Sequence, residues 1–341
     1  MKLPARWQRR ILLWPLPLVL VWFYVASVPL LFIVALPLSF VLPGKLRAVR
    51  VLGLATVYAF VEVAIIISSF GLWILSGFGA LLRTRWFLDA HYRLLGWALR
   101  TLVASGRRLF VLDLDVERAD PGDDGLAGGP LIAISRHAGP ADSILVMHEL
   151  IDQFGRRPRI VLKDTLQWDP AFDILLHRIP AHFVTHAADD RQATLDGITE
   201  LARTMGPNDA FVIFPEGGNF TEHRRKRSIE FFLRAGRHRE AERAGRLRHV
   251  LPPRPDGTLA ALDACPDAQV MVIAHTGLDE LYSVADVWDA LPDHKTLQML
   301  FAVVPDELIP SRRDDRIDRL WAVWERIDGW IDEHRHRIAG T

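Results

Sequence analysis

Two long apolar runs open the chain. Residues 11–44 contain no charged side chain, and residues 51–82 contain one, Glu62. Each exceeds the roughly 20 apolar residues that a membrane-crossing helix needs. Pro15, Pro17, Pro29 and Pro37 punctuate the first run, which predicts that it is not one straight helix. The short basic stretch PGKLRAVR at 43–50 joins the two. The pattern is that of a helical membrane hairpin over residues 1–85, with apolar segments at about 11–42 and 51–82.

Behind Arg85 the period changes. Residues 86–106 carry apolar side chains at helical spacing, with Arg93 and Arg100 on the other side. This amphipathic helix suits either a membrane interface or a protein core. RLFVLDLDVE at 108–117 alternates like a strand, and the turn-rich 119–130 reads as a loop. Strand-like runs follow at 131–135, 159–166, 179–186, 209–213 and 269–277, with helical patterns at 143–153 and 189–205. Alternating strands and helices predict an α/β catalytic domain over 86–341, a mixed, largely parallel sheet flanked by helices. The Arg-rich residues 223–248 read as a helical segment, either a solvated face or a contact for phosphate. A Pro-rich turn enters a helix at 250–264. Residues 313–338 predict a C-terminal amphipathic helix through Ile317, Leu320, Trp321, Trp324, Ile327 and Ile331.

Charge adds an orientation. The 341 residues have zero formal net charge, so no global field favours nucleic acid. Residues 1–110, however, hold thirteen Lys or Arg against Glu62 and Asp89. Basic residues at 2–10 and 83–108 place the catalytic domain on the cytoplasmic face of the cell membrane. Lys45, Arg47 and Arg50 in the connection favour instead a hairpin that enters one leaflet and returns, and both forms stay open. Glu62 is a packing residue or a functional one. The lone Cys265 rules out an intrachain disulfide framework and has no motif around it.

The chemistry gathers at two strand ends. LIAISRHAGPAD at 131–142 is a strand breaking into a loop, with Pro140 and Asp142 starting a helix. His137 and Asp142 can meet across that corner, the carboxylate holding one imidazole nitrogen and leaving the other as a base. FVIFPEGGNFTE at 211–222 is a second strand ending in a Pro-Glu-Gly-Gly turn. Read bare, the pair allows metal binding, hydrolysis or general-base activation of a hydroxyl. Metal binding lacks companion ligands, and a hydrolase lacks a G-x-S-x-G elbow.

SRHAGPAD at 135–142 contains a His-x4-Asp pattern, and FPEGGNFTE at 214–222 holds a Phe-Pro-Glu-Gly block. With VLKDTLQWDP at 161–170 and RHVLPPRPDG at 248–257, the ordered set resembles the glycerolipid acyltransferases, typified by 1-acylglycerol-3-phosphate acyltransferase and related lysophospholipid acyltransferases. The resemblance covers about residues 105–285. It implies that His137 takes the proton of a lysophospholipid hydroxyl, which attacks the thioester of acyl-CoA or acyl-carrier protein, and that Asp142 orients His137. It implies that Glu216, Gly217, Gly218 and Asn219 shape the acceptor pocket. Arg136 and Lys163 are candidates for phosphate or CoA contacts by charge and position. The family's block commonly continues Gly-Thr-Arg, and that Arg meets the acceptor phosphate. Here Gly218 and Asn219 stand there, so either Arg224, Arg225, Lys226 or Arg227 is expected to substitute, or the acceptor is a larger lysophospholipid or a glycolipid that presents no phosphate there. The last family block is altered too, with Ala274 and His275 in VMVIAHTG. No metal or organic cofactor is implied. The expected partners are membrane lipid, a lysophospholipid acceptor and the acyl donor, with no nucleic acid.

Overall fold

The computed structural model describes residues 3–12, 15–41, 46–119, 128–184, 191–277, 279, 288 and 295–339. The hairpin connection at 43–45, the loop at 120–127 and the end of the 179–186 strand lie outside the described residues. The first helices are α1 (Arg6–Leu12), α2 (Pro15–Val41), α3 (Arg47–Leu75) and α4 (Arg85–Phe110). Then come β1 (Leu112–Ala119), β2 (Leu131–Ser135), α5 (Pro140–Asp152), β3 (Arg157–Lys163), α6 (Pro170–Leu176) and β4 (Ala181–Val184). The second half holds α7 (Arg191–Arg203), β5 (Asp209–Ile213), α8 (Glu222–Arg234), α9 (His238–Arg246) and α10 (Pro255–Ala264). It ends with β6 (Gln269–Thr276), β7 (Lys295–Val304) and α11 (Arg313–Ala339).

The chain divides into two compact units. The first comprises residues 1–112, 161–190 and 284–294. Its α2 and α3 are long and apolar enough to cross a membrane. They pack side by side, with the Tyr24 hydroxyl 2.8 Å from Thr56 Oγ1. The outer face of α2 leaves Trp22, Ile33 and Phe40 more than half exposed, an apolar surface that water does not favour. Pro15 opens α2, and Pro29 and Pro37 lie inside it. Each of the latter two removes one N–H and crowds one carbonyl, and the turns on either side keep their own bonds. The amphipathic α4 is a packing helix: Phe87, Leu95, Leu99 and Val103 are buried, and the helix lies on α3.

The second unit comprises residues 113–160, 191–283 and 295–341. Its strands run in the order β1-β7-β6-β2-β5-β3, and β4 lies beside the end of β3 that belongs to the first unit. β2 is parallel to both β5 and β6, with Ile134 opposite Ile213 and Ser135 opposite Ile273. β3 is parallel to β5, and β7 is antiparallel to its neighbour β6. Strands β2 and β5 are buried along their whole length. Each large aliphatic there contributes about 2 kcal/mol by leaving water. That burial fixes which ends of the strands point at the same edge. The segment 223–248 is two helices rather than one, because Gly236 takes φ +70°, a left-handed turn that stops α8. β7, the run KTLQMLFAVV, was not singled out from the sequence, although Pro292 and Asp293 stand just before it as a turn signal.

Candidate active site

The site is built where β2, β5 and β6 end together, the usual place for chemistry in a parallel sheet. β2 stops at Ser135, and the chain turns through Arg136–Gly139 before Pro140 opens α5. The Asp142 carboxylate sits in the first turn of α5 and gathers the loop around itself. It accepts the Ala138 N–H at 2.6 Å, the Gly139 N–H at 2.9 Å and the Ser143 hydroxyl at 3.2 Å. The same carboxylate lies 3.1 and 3.2 Å from His137 Nδ1. It therefore selects the tautomer with the proton on Nδ1, which leaves Nε2 as the basic atom. His137 is 16% exposed, so its free nitrogen is reachable while the carboxylate behind it is sealed. The ring leans on Phe214, with 4.7 Å between centroids.

Glu216 joins the β5 turn to this loop. One carboxylate oxygen accepts the His137 N–H at 3.0 Å, and the other accepts the Leu251 N–H at 2.9 Å. The Phe220 N–H donates to the His137 carbonyl at 3.0 Å, closing the turn from the other side. Gly217 has φ +67°, and a Cβ there would stand 3.2 Å from Arg254 Nη1. At Gly218 a Cβ would fall on Arg224 Nη1. Both glycines are thus covered by guanidinium groups, one from each side of the turn. Arg224 also donates to the Asn219 carbonyl at 3.2 Å, and the Arg254 N–H donates to the Pro215 carbonyl at 2.8 Å.

The segment leading to Arg254 is held from α11. Asp328 accepts backbone N–H groups of Arg248, His249 and Val250 at 2.6–3.2 Å. His249 Nε2 lies 2.9 Å from Asp332. These bonds set where Leu251 meets Glu216 and where Arg254 meets Gly217.

Burial raises the energy of every charge here, and the partners decide the outcome. Burial alone would push the Asp142 carboxyl up. Hydrogen bonding to His137, the charges of His275 and His137 and the Gly139 N–H outweigh it, holding the group at about 2. Glu216 is pushed up to about 8 by its complete burial, against the pull of Arg136 and its two backbone donors. His275, at the end of β6, has Nε2 3.6 Å from Asp142 and 3.2 Å from the Arg136 carbonyl. Its burial lowers its pKa, against the pull of Asp142.

The residues expected at the site separate into three groups. His137, Asp142, Glu216, Gly217, Gly218, Asn219 and Arg224 come together as described. Arg136 does not serve as a surface contact for phosphate or CoA. It is 1% exposed, pairs with Asp279 at 2.5 Å, and donates to the carbonyls of His275 and His249 at 2.6 and 3.0 Å. Its charge was legible but its direction was not, because Asp279 lies 143 residues away in sequence. Arg225 also turns elsewhere, donating to the Leu247 and Gly245 carbonyls and pairing with Glu222. Lys163 ends β3 and lies in the first unit. Arg254 was present in the RHVLPPRPDG block but was not singled out. Asp328 carried no signal, since an acid on an amphipathic helix reads as solvated. Among the described residues, no three His, Cys, Asp or Glu side chains group as a metal site.

Residues 116–272 match the family model described as Acyltransferase. That stretch holds His137, Asp142, Glu216, Arg224 and Arg254. No curated protein matches the chain.

Proposed function

From the premise that the chain carries an acyltransferase domain of the glycerolipid acyltransferase family, we propose that it is a membrane-bound O-acyltransferase acting on a lysophospholipid. The simplest acceptor is 1-acylglycerol 3-phosphate, giving phosphatidate. The observation that carries this reading is the His137–Asp142 pair, 3.1 Å apart, at the end of a buried parallel strand. His137 Nε2 takes the proton of the acceptor hydroxyl as its oxygen attacks the thioester carbonyl of acyl-CoA or acyl-carrier protein. The tetrahedral intermediate expels the thiolate, the C–S bond breaks, and His137 returns the proton to sulfur. Asp142 stabilises the imidazolium between these steps. No side chain becomes covalently acylated.

Arg224 and Arg254, on the Gly217–Gly218 turn, are assigned to the acceptor's phosphate in place of the family's Arg, where Asn219 stands. Two guanidiniums suit a tetrahedral dianion. The two apolar helices of the first unit support residence in the cell membrane, and the basic residues flanking them support a cytoplasmic catalytic domain. Asn219 favours a second reading with the same chemistry, in which the acceptor is another lysophospholipid or a glycolipid.

The test is acyl transfer from labelled acyl-CoA, and then from acyl-carrier protein, by the full chain in detergent. Lysophosphatidate, other lysophospholipids and a glycolipid serve as acceptors. His137→Ala is expected to lose ~10² or more of the turnover. Equal rates in variant and wild type would remove His137 as the base. Turnover of the glycolipid with inert lysophosphatidate would select the second reading. Acceptor binding without product from either donor would leave a non-catalytic lipid-binding protein.

A further inference from the structure

A cluster in the first unit holds more positive charge than it neutralises. Arg6, Arg9 and Arg10 lie on α1, and His177 and Arg178 follow α6. Among the described residues, the ion pairs of this cluster all run to one carboxylate, Asp173. Arg9 is its partner, with Nη2 at 2.6 Å and further bonds to the Pro4 carbonyl at 2.8 Å and Gln167 at 2.7 Å. Arg10 Nε stands 3.6 Å from the same carboxylate, too far for a hydrogen bond.

Donors are left over. Nε and Nη2 of Arg10 and Nη1 of Arg178 are buried and have no hydrogen-bond partner. His91 is completely buried, with Nδ1 2.8 Å from the Phe87 carbonyl, and Arg178 lies 5.4 Å over the Phe87 ring. Burial, then the charges of Arg10 and Arg6, pushes the Arg178 guanidinium down to about 10. Burial also lowers His91, and Arg178 beside it lowers it further. Like charges with desolvated, unmade hydrogen bonds are costly unless an anion takes them. A phosphate group matches the need, since its oxygens accept from several guanidiniums at once.

We propose that Arg6, Arg10 and Arg178 form a binding site for a phosphate group, supplied by the head group of an anionic phospholipid. α1 leads into the apolar α2, and Trp7 on α1 is 64% exposed, so acyl chains and head group would meet the chain together. The lipid source rests on the membrane reading above. The phosphate site itself does not, and its readout below requires no turnover.

The experiment follows the thermal midpoint of the full chain in neutral detergent at constant ionic strength. Phosphatidylglycerol is compared with diacylglycerol, and inorganic phosphate with chloride. Phosphatidylglycerol is expected to raise the midpoint by about 2–4 °C. Arg10→Gln with Arg178→Gln is expected to abolish that rise. Without ligand this double variant is expected to match or exceed the wild-type midpoint, because like-charge repulsion has been relieved. Arg9→Gln, which strips Asp173 of its partner, is expected to lower it. The charge-retaining Arg178→Lys is expected to keep part of the rise. An equal rise with inorganic phosphate, lost in the double variant, would uphold the site and overturn the lipid source. No rise with either ligand, or a rise that survives the double variant, would overturn the proposal.

Discussion

Arg136 and Arg178 are both withdrawn from water, one in each unit, and their surroundings treat them in opposite ways. Arg136 meets a carboxylate and two backbone carbonyls, with its Nε alone left unpaired. Arg178 meets a ring face and two other guanidiniums, and keeps a buried N–H unpaired. The same contrast recurs inside the second unit. Arg225 is spent on the carbonyls that end α9, while its neighbour Arg224 is exposed and lies over Gly218. An arginine paired with a carboxylate or with carbonyls of the protein holds the site together, and one without a carboxylate partner is available to a ligand. Position in a motif does not distinguish them, because hydrogen-bond partners do.

The contrast can be broken by experiment, and the largest effect belongs to the paired class. Arg136→Ala leaves Asp279 buried without its partner, so stability is expected to fall by about 4 kcal/mol. Equilibrium unfolding in detergent measures this, and an unchanged stability with weaker donor binding would move Arg136 into the ligand class. Asp328→Ala strands three backbone donors and is expected to cost about 3 kcal/mol. Proteolysis within 248–254 should then rise, since that segment loses its anchor to α11.

The next effect is one of pH. Asp142 is held down at about 2 in the fold, below its ordinary carboxylate value. Its contribution, about 2 kcal/mol, is therefore present above about pH 4 and lost as pH falls through about 2. Unfolding between pH 5 and 2 should lose this component in Asp142→Asn. A variant with the wild-type acid profile would mean that the carboxylate is not held as its contacts indicate.

The smallest expected effect belongs to the open class. Arg224→Ala and Arg254→Ala should each raise KM for lysophosphatidate about tenfold, with kcat little changed. Their thermal midpoints should stay near wild type. A loss of stability without a change in KM would place both with Arg225 as structural residues.

Much of the site was legible because it is local. His137 and Asp142 are five residues apart at a strand-to-helix corner, and Pro140 with Asp142 marks where the helix begins. The Pro-Glu-Gly-Gly turn announces itself in the same way. Strands β2 and β5 were legible because burial on both faces demands an unbroken apolar run. Arg254 and Asp328 act across long sequence separations, and their types alone describe ordinary surface residues. The break at Gly236 was a local signal passed over in a charged helical run.

By itself, the sequence determined two apolar helices, an α/β domain and a His–Asp corner, since each follows from periodicity, backbone preference or short reach. The tertiary structure decided which arginines are spent and which remain open. It also decided that Glu216 ties two strand-end segments together and that α11 anchors a third. Those choices depend on where partners distant in sequence meet in space, and on a dielectric that exists only once the core has closed around them.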